Sequence, residues 1–266
     1  MSNYLAQTIR NAIITTDKKR TVLREDFALK EYVTPQEFAV KKHPFDHIVV
    51  DNFFNADLYQ KLLSHFREIY SRGLSEIDDA SRFHPFLDLK GKYQYDGYLY
   101  EPSPTENKAL DIFFSVAWNL FFSNLFKQTT SYCTSFAYHY HPEGNKRGFI
   151  HNDLVERNFY TYDKLPNNVI FCPHKLKKSL PYILKPELIQ TEWRKIALLY
   201  YLNNDAWSEK HGGETGLYMS PDTEPTVRVA PKNNRLLAFL ISERSFHAFQ
   251  ENLQPRSCIV QWFHGR

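Results

Sequence analysis

The chain has 266 residues, 33 of them Lys or Arg against 30 Asp or Glu, and its formal net charge of +3 is too balanced for a nucleic-acid-binding surface. Its three cysteines, Cys133, Cys172 and Cys258, lie far apart without a CxxC pair, which argues against a disulfide framework and suits a reducing compartment. No run approaches the roughly eighteen apolar residues that span a bilayer, and the N-terminus has neither an apolar h-region nor a small-residue cleavage site, so a soluble cytoplasmic protein with no membrane partner is expected.

Residues 1–42 read as a helical extension broken by the charged stretches "TDKKR" and "KEYVTPQEF". "DHIVVDNFF" (46–54) is β-branched and aromatic and predicts a strand. "NADLYQKLLSHFREIYSR" follows with a helical period, and Asn55 or Asp57 is its expected cap. "YQYDGYLYE" predicts a second strand, and residues 105–127 predict one long helix with an apolar face broad enough to lie on a sheet. From residue 131 the pattern changes. "SYCTSFAYHYH" alternates, "HPEGNKRG" turns, and "FIHNDL" resumes extended structure. Short strands are predicted at 195–203, 215–220, 226–230, 235–241, 245–250 and 257–263, divided by Gly, Pro and Asn turns. Such a run implies an antiparallel sandwich or barrel.

Residues 154–194 fit no short hairpin, and a loop this long in a compact domain is usually functional or disordered. Tyr160, Tyr162, Phe171 and Tyr182 in it predict an ordered excursion, read as a lid, with Arg157 and Lys175 as anchors for an acidic substrate. No repeat or low-complexity linker divides the chain, so one domain spanning 1–266 is expected, with its β core at 131–263.

The stretch "GFIHNDL" (148–154) holds a His-x-Asp triplet, half of a facial set for divalent iron. With 11 His and 30 acidic residues, about one such triplet is expected by chance. Two occur, His141-Pro142-Glu143 and His151-Asn152-Asp153, so spacing alone decides nothing. The first falls in a turn, where its side chains are expected to point outward; His139 alternates with His141 and stands as a neighbour of the site. Cys172-Pro173-His174 is half a zinc motif without a second half. His264, near the C-terminus, is expected to be exposed. His247 alone reads as an ordinary buried histidine, and Arg256 alone as a hairpin charge. Together, nine residues apart on successive strands, they put an imidazole and a guanidinium toward one interior. Arg pairs bidentately with a carboxylate and does not lose its charge.

Four blocks in order, "YHYHPEGNKRGFIHNDL", "ALLYYLNNDAW" with "HGGETGLY", "NRLLAFLISERSFHAF" and "PRSCIVQWF", resemble the iron(II)- and 2-oxoglutarate-dependent dioxygenases, in particular their prolyl-hydroxylase-like branch. The resemblance covers roughly residues 131–263. It implies an α+β fold, a double-stranded β-helix (jelly-roll, cupin-like) core with N-terminal helices packed on the major sheet. It implies His151, Asp153 and His247 as Fe(II) ligands, and Arg256, helped by Tyr201, as partner of the 2-oxoglutarate C5 carboxylate. Tyr140 would line the cosubstrate pocket. Two departures stand out. The interval between Asp153 and "LLYYLN" is longer than in compact prolyl hydroxylases, and Val260 stands where some relatives carry a hydroxyl.

The activity so implied is hydroxylation of an aliphatic C–H by Fe(II), 2-oxoglutarate and O2, with release of succinate and CO2. The carboxylate at 153 fits an oxygenase, since halogenating relatives carry a small residue there. The favoured substrate is a small molecule, an amino acid or natural-product intermediate; a prolyl or other side chain in a protein is the alternative. A nucleic-acid demethylase would carry a later pair of arginines, and the chain ends in "WFHGR" without one. A non-enzymatic β-sandwich that binds a partner is a further alternative, against which the intact ligand set speaks. The sequence leaves the oligomeric state open.

Overall fold

A computed structural model describes residues 28–85, 96–160, 169–171, 189–205 and 207–266. Twelve strands are named among them: β1 (His47–Val50), β2 (His84–Pro85), β3 (Tyr98–Tyr100), β4 (Cys133–His141), β5 (Glu156–Tyr160), β6 (Ile170–Phe171), β7 (Ile189–Tyr201), β8 (Thr215–Tyr218), β9 (Val227–Val229), β10 (Arg235–Leu240), β11 (Phe246–Phe249) and β12 (Arg256–Gly265). The major sheet runs β1-β10-β7-β12-β4-β3-β2, with β5 on β7 and β6 on β4; the minor sheet is β11-β8-β9.

Both faces of the major sheet are covered, which is why β4 and β12 are buried along their whole length. One face carries α1 (Ala56–Ser71) and α2 (Val116–Phe126). Leu58, Leu62 and Phe66 of α1 and Trp118, Phe121 and Phe122 of α2 join Tyr138, Leu198, Tyr200 and Ile259 in one apolar cluster. The opposite face packs on the minor sheet through Leu199, Tyr201, Phe239, Val260 and Trp262 against Leu217 and Val229. This is the expected α+β architecture, a double-stranded β-helix with its helices on the major sheet.

Asn55 caps α1 by accepting from the Leu58 N–H at 2.8 Å. The long helix expected over 105–127 is instead two pieces. A 3-10 helix (Lys108–Phe114) meets α2 at an angle of 42°. Ser115 causes the break: it sits in the extended region and its hydroxyl accepts from Trp118 N–H at 3.1 Å, a cap that restarts the helix. Of the expected N-terminal helix, residues 1–27 lie outside the described residues, and 28–42 hold one 3-10 turn, Leu29–Glu31. No single helix among the described residues is long and apolar enough to cross a membrane.

The excursion after Asp153 begins and ends as a ladder, with Glu156–Tyr160 antiparallel to residues 189–193. Arg157 stands opposite Glu192 there. Phe171 packs on Phe114, with ring centroids 5.1 Å apart on the helix side, and so does not wall the interior between the sheets. Tyr162, Cys172, His174, Lys175 and Tyr182, and with them the expected lid and half zinc motif, lie outside the described residues.

Candidate metal and cosubstrate site

His151 and His247 are brought together by the backbone. His151 N–H donates to His247 O at 3.1 Å and His247 N–H donates to His151 O at 2.8 Å. A pair that exchanges both bonds puts its side chains on the same face, and the two imidazole centroids are 4.4 Å apart. Each ring is oriented by its Nδ1–H, which donates to Phe149 O at 3.0 Å in His151 and to Ser245 O at 3.1 Å in His247. Both Nε2 atoms are thereby left as lone-pair donors, the state a metal needs.

Asp153 completes the set. Its Oδ1 lies 3.6 Å from His151 Nε2 and its Oδ2 lies 3.6 Å from His247 Nε2. One ligand atom from each of the three residues falls within 4.8 Å of the others. Burial lowers the His247 pKa to about 4, helped by the neighbouring His151 and opposed by Asp153 and the Ser245 carbonyl. Burial works to raise the Asp153 pKa, but Arg194, His247, His151 and the Trp262 N–H outweigh it and hold the carboxyl well below its usual range. Two imidazole nitrogens and one carboxylate are the donor set that suits Fe(II).

Two contacts on Asp153 were not anticipated from the sequence. Arg194 Nη1 donates to Oδ1 at 2.7 Å, and Trp262 Nε1 donates to Oδ2 at 2.7 Å. The Arg194 guanidinium also lies over the Trp262 ring at 3.9 Å. Strand parity in β7 puts Ile196, Leu198 and Tyr200 on the helix side, and Arg194 belongs to the same even series. It reaches the site because the ladder with β12 slips: Phe263 pairs with Ile196 but His264 pairs with Arg194. Lys195 is the extra residue of this bulge, and a bulge reverses the facing of everything beyond it.

About 200 Å³ of cavity separates this set from Arg256. Its lining includes His139, His141, Leu199, Thr215, Phe249 and Val260. Arg256 is buried, donates from Nη2 to Thr215 Oγ1 at 3.0 Å and from Nη1 to Cys258 Sγ at 3.2 Å, and stacks over the rings of Tyr201 and Phe249. Tyr201 is buried beside it, with its hydroxyl 2.7 Å from Thr215 Oγ1. Thr215 belongs to the turn "HGGET", which passes close to the start of β12. Gly212 there has φ 66°, and a Cβ on it would lie 2.1 Å from Glu251 O, so glycine is required.

Three expectations are corrected. Tyr140 faces the helices: its ring lies against Tyr70 and Phe83 and its hydroxyl is 3.0 Å from the Tyr70 hydroxyl. His139 and His141 take the inward positions of that strand. His141 does not point outward from a turn, because β4 runs through it; its ring stacks on Phe249 and its Nδ1 meets Asp96 O at 3.3 Å. Burial, reinforced by Arg256, lowers its pKa to about 3. His264 is fully buried on β12, with its ring 4.7 Å from that of Phe159, and burial lowers its pKa to about 3 as well.

Comparison with known proteins fits this geometry. The 2OG-Fe(II) oxygenase superfamily matches residues 182–264, a span containing His247 and Arg256 but not His151 or Asp153. Prolyl 3-hydroxylase sudestada1 of Drosophila melanogaster is 34% identical over 84 residues, 27% of this chain and 16% of that protein. The chain therefore spans only a small part of that relative's length. A Pseudomonas putida prolyl-4-hydroxylase superposes with TM-score 0.52 at 16% identity, over 83% of this chain and 92% of that one. A Trichoplax adhaerens prolyl hydroxylase, solved with a hypoxia inducible factor oxygen degradation domain peptide fragment, gives TM-score 0.50 at 15% identity, over 99% and 93%. At that identity the two structures speak for the fold, and the sequence matches speak for the family. Residues 182–264 thus resemble the 2OG-Fe(II) oxygenase superfamily, and the likeness in sequence and fold is to prolyl hydroxylases.

Proposed function

We propose that the chain is an Fe(II)- and 2-oxoglutarate-dependent hydroxylase acting on an aliphatic C–H. The observation that carries this is that two unlike binding groups, the His151, Asp153 and His247 set and Arg256, line one cavity. His151, Asp153 and His247 would hold Fe(II) through three protein donors, and the rest of its coordination would be left to cosubstrate and O2. Arg256 would take the distal carboxylate of 2-oxoglutarate, with Thr215 and Tyr201 fixing the guanidinium. Leu199, Val260 and Phe249 give the cavity an apolar lining between the two groups. The bound metal, with O2 and 2-oxoglutarate, supplies the C–H oxidation that releases succinate and CO2.

The substrate would approach from the open edge, where the His151 side chain is 35% exposed and Phe149 stands beside it, ring centroids 4.6 Å apart. Two substrate classes fit such a mouth. A free amino acid or natural-product intermediate is the class favoured from the sequence. A prolyl or other side chain of a protein is the class suggested by the names of the relative and the neighbours. Succinate formation above the uncoupled background, screened over free amino acids and proline-containing peptides, decides between them. A product heavier than its substrate by one oxygen is the expected result. Metal-loaded protein that forms no succinate with or without any substrate contradicts the reading.

A further inference from the structure

Asp153 has φ 61°, a left-handed region that residues with a Cβ rarely occupy. Both carboxylate oxygens are engaged, one by Arg194 and one by Trp262. The Arg194 side chain is 4% exposed, and its Nε meets no partner among the described residues. Its side chain meets Asp153 and the Trp262 ring, and it reaches them because the bulge at Lys195 turns it inward. An isolated carboxylate buried at this depth is strongly unfavourable, and one cation relieves it. A metal at the triad would bring a second cation to the same group.

We propose that Arg194 is a positioning residue that stands in for the charge of the metal: it holds the Asp153 carboxylate in place in the metal-free protein and weakens the hold on the metal once it binds. The inference rests on the reading of the triad as a metal centre. Two cations on one carboxylate repel each other in a buried site, so the arginine that stabilises the empty site must oppose its filling.

The test uses Mn(II), which occupies oxygen and nitrogen sites without the oxidation that complicates Fe(II). Melting is measured with and without Mn(II), and Mn(II) affinity by calorimetry, for wild type, Arg194→Met and Arg194→Lys. Metal-free Arg194→Met should melt about 10 °C below wild type, because a buried ion pair has lost one partner. Saturating Mn(II) should close most of that gap, and Mn(II) should bind Arg194→Met about tenfold more tightly than wild type. Arg194→Lys, which keeps the charge, should stay close to wild type in both measurements. Should Arg194→Met not fold, Arg194→Gln removes the charge more gently and must show the same tightening. Unchanged or weaker Mn(II) affinity in the charge-free variants, in a protein whose wild type binds Mn(II), overturns the inference alone. A wild type that Mn(II) neither binds nor stabilises overturns the metal-centre reading and the inference with it.

Discussion

At the scale of single residues, the two His-x-acid triplets differ in where each side chain ends. His151 and Asp153 converge on His247. His141 lies near Arg256 at the other end of the cavity, and Glu143 is exposed in the turn beyond β4. Loss of a residue that only orients a ligand costs metal sites 10–100-fold in affinity. His151→Ala, Asp153→Ala and His247→Ala should therefore each weaken Fe(II) or Mn(II) binding by more than about 100-fold. His141→Ala and Glu143→Ala should leave metal affinity within about threefold of wild type, since neither touches a ligand atom of the triad. Calorimetric titration of the five variants checks this, and comparable losses in the two groups would mean that the triad is not the metal centre. That His151, Asp153 and His247 would converge, with Arg256 on the same cavity, was legible in the sequence because their chemistry is particular and their order is informative. Arg194, Trp262 and Thr215 were not, because each acts by touching another residue and carries no motif of its own.

The same limit shows at the scale of elements. Alternation tells which residues share a face, but a strand with both faces buried gives no sign of which face looks into the site. β4 is such a strand: all nine of its residues are buried. Tyr140 and His139 were thus interchangeable by pattern, and the structure assigns the aromatic to the helices and the imidazole to the cavity. Tyr140→Phe should leave 2-oxoglutarate affinity unchanged, and removal of its hydrogen bond to Tyr70 should cost about 1 kcal/mol in urea unfolding. A marked loss of cosubstrate affinity in that variant would restore Tyr140 to the pocket. The bulge in β7 was equally invisible, since the expected strand began at Lys195, where the ladder slips, and Arg194 lies on the far side of it. Ser115 was readable as a cap in principle, but the aromatic run around it carried the helical period straight through.

At the scale of the whole molecule, several histidines are buried in their neutral form. His141, His247 and His264 have pKa values lowered to about 3, 4 and 3, chiefly by burial. Such groups bind protons in the unfolded chain first, where histidine titrates near pH 6.5. Their contribution is complete above that pH and is lost as the pH falls toward the folded values of about 3 to 4. The metal-free protein should lose stability across this window, by about 1.4 kcal/mol per pH unit for each histidine fully engaged. In His264→Phe the slope between pH 6.5 and 5 should fall by about one histidine's share. An unchanged slope would show that His264 titrates alike in both states. Carboxylates enter from about pH 5 downward, which is why the slope is read between pH 6.5 and 5.

The central claim is that one cavity holds a metal at one end and a dicarboxylate at the other, and binding of 2-oxoglutarate tests it most directly. Calorimetry with Mn(II)-loaded protein should show 2-oxoglutarate binding that is lost without metal and lost in His247→Ala. Arg256→Ala should weaken it by about 100-fold, as a buried carboxylate loses its charged, bidentate partner. Arg256→Lys should fall between, since a point charge replaces the fork. An affinity unchanged in Arg256→Ala, or binding that does not depend on the metal, would contradict the account.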